Sequence, residues 1–100
     1  MKSLRDSKRK PTHPGELLRE DVLPALKMSQ SELAKRLGVS RLSVSELLLE
    51  KRVMSPDMAV RISRLTNTTP DSWLRMQAAV DLWELERDPK RYQHIEPVAA

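Results

Sequence analysis

Residues 30–49, QSELAKRLGVSRLSVSELLL, restrict the fold of this 100-residue chain more than any other stretch. Apolar residues recur there at helical spacing on both sides of a single glycine, which predicts two short amphipathic helices. Gly38 suits the left-handed residue that ends a helix, because a Cβ there would clash with the following carbonyl. Val39 is expected to fill the space between the helices, and Ser40 to cap the second one. The predicted core positions are Leu33, Ala34, Leu37, Val44, Leu47 and Leu48.

The small residue at Ala34 and the turn at Gly38 together favour one arrangement of these two helices. Ala34 leaves room for a close helix crossing, and Gly38 fixes the turn that follows. This combination is typical of a helix-turn-helix, whose second helix enters the major groove of DNA. The alternative is an ordinary helical hairpin in a bundle core, which needs only the apolar spacing. We therefore favour the DNA-binding geometry.

The second helix carries the candidate base-reading residues on the side away from its apolar stripe. Arg41 has the planar fork that matches the O6 and N7 acceptors of guanine. Glu46 can accept a hydrogen bond from a cytosine amino group but repels phosphate, and Leu42 offers only apolar contact, for instance with a thymine methyl. Basic residues of the preceding helix and of the following loop are expected at phosphates. The predicted DNA contacts are Gln30, Lys35, Arg36, Ser40, Arg41, Leu42, Ser43, Ser45, Glu46, Lys51 and Arg52.

Start signals elsewhere predict three further helices, and so an all-α chain of five. The first begins at Pro14, with His13 before it as a capping or packing residue, and Pro24 is expected to kink or interrupt it. A serine or threonine precedes each of the other four helices of the chain. Glu32, three residues after Ser29, predicts a capping box. The expected caps are Ser29, Ser40, Ser55 and Thr69.

The fifth helix, expected from Pro70 to about Arg87, carries two adjacent apolar stripes. A helix that is apolar over so wide an arc must bury both sides. One side is expected to pack on the other helices, and the other on a second copy of the chain across a two-fold axis. The alternative is a single broad core face in a monomer. The predicted dimer interface consists of Val80, Leu82, Trp83 and Leu85.

The excess positive charge is concentrated at the amino terminus. Residues 1–10 contain five basic side chains and one acidic side chain, a net charge of +4, whereas the remaining 13 basic and 13 acidic residues cancel. Residues 1–12 are therefore predicted to form a basic, disordered arm that follows a phosphate backbone or reaches a minor groove. Residues 13–88 form the expected domain, and residues 89–100 an extended, flexible tail.

The composition disfavours several classes of function. Cysteine is absent and the two histidines lie at opposite ends of the chain, so we expect no metal site. We see no Gly-rich phosphate loop and no histidine beside a serine, which argues against an enzyme, a cofactor or a small-molecule substrate. No apolar run approaches the roughly 20 residues of a membrane span, and the amino terminus lacks the apolar segment of a secretory signal. A cytoplasmic protein is expected.

Motifs in the same order along residues 13 to about 85 resemble the HigA family of antitoxins, also called virulence-associated protein I. The matching segments are HPGELLRE from His13, the helix-turn-helix, SPDMAVR from Ser55, and TP from Thr69 followed by Trp73, Leu74 and Gln77. The resemblance implies a five-helix, phage-repressor-like fold that dimerises through an extended C-terminal helix. It also implies neutralisation of HigB, an RNA-cleaving toxin of the RelE type, and repression of the antitoxin's own operon. The expected partners are an inverted-repeat operator, a cognate toxin and a second copy of the chain.

The chain departs from the family pattern in two places. Leu49 and Glu50 stand where the family usually has an Asn-Gly-type turn with basic residues, and Leu42 occupies a site that is often polar. Two alternatives to the antitoxin hypothesis remain open. One is a stand-alone transcription regulator, which has the same domain. The other is a protein-interaction module that does not bind DNA, which Leu42, Glu50 and the neutral net charge of residues 11–100 favour.

Overall fold

The predicted all-α, five-helix architecture is confirmed by the computed structural model, which describes residues 9–99. We call the first helix, residues 14–26, α1; it consists of three consecutive turns, Pro14–Leu17, Leu18–Val22 and Leu23–Leu26. The remaining helices are α2 (Gln30–Leu37), α3 (Arg41–Leu48), α4 (Pro56–Thr66) and α5 (Pro70–Glu86). The described range contains no strand, and none of its helices has the length and hydropathy needed to cross a membrane.

The predicted caps open α2 to α5. In each case a hydroxyl oxygen accepts from the backbone N–H three residues later, which satisfies one of the donors that a helix leaves unpaired at its start. The pairs are Ser29 with Glu32, Ser40 with Ser43, Ser55 with Met58, and Thr69 with Ser72, at 3.1 to 3.3 Å. The capping box at Ser29 is only half formed, because the carboxylate of Glu32 accepts from Arg36 at 2.8 Å instead.

A kink or a short break was expected at Pro24; the break does not occur, and α1 continues to Leu26 through an irregular turn. The turn before the proline is π-helical, so the N–H of Leu23 donates to the carbonyl of Leu18, five residues back. A regular α-turn would bring the proline ring against the carbonyl of Glu20. The wider turn relieves that contact, and the helix accommodates the proline without ending.

Left-handed residues follow α1, α2, α3 and α4, and only one of the four is glycine. Gly38 has the expected φ of 70°, whereas Lys27, Glu50 and Asn67 adopt φ values of 52°, 62° and 56°. A side chain in this conformation costs roughly 1–2 kcal/mol, except that asparagine tolerates it better. The sequence predicted only the glycine. At the other three positions the backbone N–H donates back into the preceding helix, from Lys27 to Pro24, from Glu50 to Leu47 and from Asn67 to Ser63.

The apolar stripes of α2 and α3 meet those of α1, α4 and α5 in one core. Ala59 and Ile62 of α4 are completely buried, and Trp73 of α5 is 2% exposed with its Nε1 donating to Thr68 Oγ1 at 2.8 Å. All of the predicted helix-turn-helix core positions are buried: Leu33, Ala34, Leu37, Val44, Leu47 and Leu48.

The two apolar stripes of α5 have different environments. Val80 is only 3% exposed and faces the interior of its own chain, so its assignment to a dimer interface is wrong. Leu82 and Leu85 are 51% and 39% exposed. Trp83 is half-buried, and the guanidinium of Arg87 lies 4.5 Å from the centre of its ring. The surface that remains open on α5 is therefore the stripe that contains Leu82 and Leu85.

The segment after α5 is not extended at its start. Pro89–Arg91 form a 3₁₀ turn, in which the N–H of Arg91 donates to Asp88 and the N–H of Tyr92 to Pro89. Proline at the first position favours this turn, because its φ is already fixed at a helical value. Residues 88–99 are all exposed. Most of the predicted basic arm, residues 1–8, lies outside the described residues.

Candidate nucleic-acid interface

The helix-turn-helix packs on α1 through a point of direct backbone contact. Gly15, in the first turn of α1, is buried, and a Cβ built on it would overlap the carbonyl oxygen of Leu47 in α3. Glycine is therefore required for the distance between the two helices rather than for an unusual backbone angle. His13 holds the start of α1 in place, since its Nδ1 accepts from the N–H of Gly15 at 2.9 Å.

Two arginines outside the motif bind the carboxyl ends of its helices. Arg19 of α1 donates to the carbonyl of Leu48 at 2.6 Å, and Arg61 of α4 donates to the carbonyl of Leu37 at 2.8 Å. These carbonyls have no partner within their own helices and carry the negative end of the helix dipole, so a guanidinium satisfies both needs. Each motif helix is thus fixed at its carboxyl end by a cation from another helix.

The predicted DNA contacts lie at the surface. Most of them are exposed, and the three deeper positions on α3 are half-buried: Ser43, Ser45 and Glu46. The exposed ones are Gln30, Lys35, Arg36, Ser40, Arg41, Leu42, Lys51 and Arg52.

Four of these residues are joined to one another. Arg52 donates to Ser43 Oγ at 3.2 Å and to the carboxylate of Glu46 at 2.7 Å. Ser43 Oγ lies 2.8 Å from Ser40 Oγ, which also caps α3. The carboxylate of Glu46 therefore meets a cation, so its repulsion of phosphate is partly neutralised. The same contacts leave Ser40, Ser43 and Glu46 engaged within the protein rather than directed at a base.

The remaining candidates at the start of α3 have no such partners. The side chain of Arg41 makes no ion pair or hydrogen bond with any residue in 9–99, and Leu42 beside it is 66% exposed. The first residues of a recognition helix are the ones that reach base edges. Lys35 and Lys51 are likewise exposed, and neither forms an ion pair within the described part of the chain. The start of α3 thus exposes a guanidinium next to an apolar side chain.

Known proteins share this helix-turn-helix domain. Residues 18–73 match a helix-turn-helix family model, which covers more than half of the chain. Antitoxin HigA-1 of Vibrio cholerae is 34% identical over 90% of this chain and 82% of its own length. The chain belongs to the HigA family. An uncharacterized helix-turn-helix transcriptional regulator of Escherichia coli K12, YbaQ, is 40% identical over 92% of this chain and 81% of its own length.

A solved HigA structure extends the likeness to three dimensions. The Pseudomonas aeruginosa antitoxin HigA, determined with the higBA promoter, superposes with a TM-score of 0.81 at 35% identity, over 90% of this chain and all of that one. The agreement therefore covers the helices on both sides of the family-model match as well as the helix-turn-helix.

One departure from the HigA pattern has a structural explanation. Glu50 takes the left-handed conformation that the usual glycine turn provides, and the N–H groups of Glu50 and Lys51 donate back to Leu47 and Glu46 at 3.0 and 2.8 Å. The carboxylate of Glu50 also accepts from Arg19 at 3.4 Å. The turn that leads into the loop of Lys51 is therefore formed without glycine.

Three supporting residues were named from the sequence only as parts of the family motifs, with no structural role assigned to them. Arg19 and Arg61 act on carbonyls 29 and 24 residues away, and no local pattern signals such a contact. Gln77 is buried in α5, where its Oε1 accepts from the N–H of Met54 at 2.8 Å and its Nε2 donates to Asp81 at 3.0 Å. A glutamine among the apolar residues of α5 was the one available signal, since a buried amide needs partners for both of its ends.

Proposed function

We propose that this HigA-family chain is a homodimeric antitoxin that represses its own operon and neutralises an RNA-cleaving toxin of the HigB type. The observation that carries the DNA-binding part is the start of α3, where Arg41 is exposed and unpaired among the described residues. The cations Lys35 on α2 and Lys51 after α3 are also exposed. The relatives support the same conclusion, because a HigA of the same fold has been solved with its promoter.

Base reading by Arg41 is tested with Arg41→Ala, using fluorescence anisotropy on the chain's own promoter region and on a scrambled duplex. A lost bidentate contact to guanine costs roughly 1–3 kcal/mol, so the promoter should bind about five- to 150-fold more weakly while the scrambled duplex changes little. Lys51→Ala is the matched control. It should weaken both duplexes alike and reduce the slope of log affinity against log salt by about one for each bound subunit. Equal losses on both duplexes for Arg41→Ala would remove it from the base-reading role.

Toxin neutralisation is tested with the product of the neighbouring gene. The two proteins should co-purify, and the antitoxin should abolish RNA cleavage. A toxin that holds RNA needs a basic surface, and so the basic residues 1–10 are a poor site for binding it. A variant that lacks them should therefore still neutralise the toxin and bind DNA slightly more weakly. Loss of neutralisation by that variant would contradict the charge argument.

A stand-alone transcription regulator is the second candidate, because the E. coli relative at 40% identity carries only a regulator's description. Both candidates predict binding to the promoter. They differ in the toxin experiment, since a stand-alone regulator neither co-purifies with the neighbouring product nor inhibits RNA cleavage.

A further inference from the structure

The polar side chains at the start of α3 are largely occupied within the protein. Ser40 caps the helix and lies against Ser43, and Ser43 and Glu46 both bind Arg52. Within the described part of the chain, this leaves Arg41 and Leu42 as the side chains in the first turn of α3 that are free to meet a base.

Leu42 has no packing role in the fold. It is 66% exposed and is absent from both the buried core and the partly buried residues that pack on it. It occupies the second position of α3, next to Arg41, which has no partner among residues 9–99. A leucine there cannot offer a hydrogen bond to a base edge, so any selectivity that it provides must be apolar.

The major groove presents one apolar group to such a side chain. Thymine alone carries a C5-methyl at that edge, whereas guanine, cytosine and adenine present hydrogen-bond donors and acceptors. We propose that Leu42 is a specificity-determining residue that reads a thymine C5-methyl close to the guanine read by Arg41. This inference rests on the proposed binding of operator DNA.

The test uses two duplexes of the promoter region that differ only in their methyl groups, one with thymine and one with deoxyuridine throughout. Covering one methyl with leucine removes about one methylene's worth of apolar surface from water, so the wild-type protein should bind the uracil duplex about fourfold more weakly per contacted methyl. Leu42→Ala should bind the two duplexes equally, with an affinity close to that of the wild type on the uracil duplex.

Arg41→Ala is the matched control on the same helix. It should bind both duplexes more weakly but keep the full ratio between them, because its contact is with a hydrogen-bonding edge. If uracil weakens binding by changing the shape or stiffness of the duplex, the affinity of Leu42→Ala should fall by the same factor as that of the wild type. Since Leu42 is exposed, the circular dichroism and melting temperature of Leu42→Ala should match those of the wild type.

The possible results separate the inference from the function on which it rests. A wild-type protein that does not prefer its promoter over a scrambled duplex would overturn the proposed DNA reading itself. A wild-type protein that prefers its promoter yet binds thymine and uracil duplexes equally would overturn only the role of Leu42. A Leu42→Ala variant that keeps the full sensitivity to uracil would show that Leu42 does not contact a thymine methyl. A variant that loses toxin binding instead would show that Leu42 belongs to the toxin-binding surface.

Discussion

His13 caps α1 with a ring nitrogen, which makes this cap dependent on pH. Its Nδ1 must be unprotonated to accept from Gly15, and the side chain is only 6% exposed. Burial lowers the pKa of His13 below its usual value of 6.5. Protonation in the folded state would convert the acceptor into a donor and place a charge in a buried site.

A pH titration of stability tests this cap. The unfolded chain takes up the proton near pH 6.5, before the folded chain does, so the free energy of unfolding is unaffected by His13 above that pH and falls as the pH drops below it. His13→Asn keeps an acceptor oxygen but does not titrate. The urea midpoint of the wild type should therefore fall relative to that of His13→Asn as the pH decreases from about 7 to 5. Parallel curves over that range would show that His13 titrates alike in both states.

The residues that govern helix starts were predictable, whereas those at several helix ends were not. A serine or threonine cap acts over three residues, so Ser40 and Ser55 could be assigned from local sequence alone. Lys27 and Glu50 take left-handed conformations that their identities disfavour. The carboxylate of Glu50 accepts a hydrogen bond from Arg19 of α1, 31 residues away in the sequence. No local sequence pattern indicates a contact between residues so far apart.

At the scale of helices, apolar spacing predicted which faces are buried but not how closely the helices approach. The stripes of α2 and α3 are both buried as expected. The position of α3 against α1, however, depends on the missing side chain of Gly15, which faces the carbonyl of Leu47. Sequence reasoning included Gly15 in a family motif without a physical role, because that role requires the two backbones to be placed together.

Gly15→Ala tests this contact, because helix propensity and the close approach of the two helices predict opposite changes in stability. By helix propensity alone alanine should stabilise a helical position relative to glycine. The added methyl would instead push α1 away from α3, and overpacking of this kind typically costs about 1–3 kcal/mol. We expect the urea midpoint to fall, and promoter affinity to fall with it because α3 moves. A variant as stable as the wild type would show that the helices can separate freely.

At the scale of the whole molecule, the open stripe of α5 is apolar surface that a single chain leaves uncovered. Leu82 and Leu85 are exposed on the same helix as the exposed Ala78 and the half-buried Leu74, at a spacing that places them along one face. Sequence reasoning predicted two stripes but distributed the interface over both, since periodicity alone does not tell which stripe the chain covers itself. The burial of Val80 now restricts the dimer proposal to one face.

A dimer that pairs this face would also explain how a recognition helix with few base-reading side chains can bind a specific DNA site. Two copies double the base contacts and add the effective concentration of a linked second site. Their recognition helices should lie about one helical turn of DNA apart, roughly 34–36 Å, over an inverted repeat. Operator affinity should therefore depend on α5 even though this helix carries none of the predicted DNA contacts.

Leu82→Glu tests this dependence more cleanly than a change at Trp83, which is half-buried and stacked with Arg87. The new carboxylate would be buried between two apolar faces in a dimer but would be solvated in a monomer, so dissociation is the favoured outcome. Light scattering should give the monomer mass, circular dichroism should show retained helix, and promoter affinity should drop. Val60→Glu, at a 43% exposed apolar residue of α4, is the matched control and should remain dimeric and bind normally. Should Leu82→Glu stay dimeric, or become monomeric with undiminished promoter affinity, the link between α5 and operator binding would be refuted.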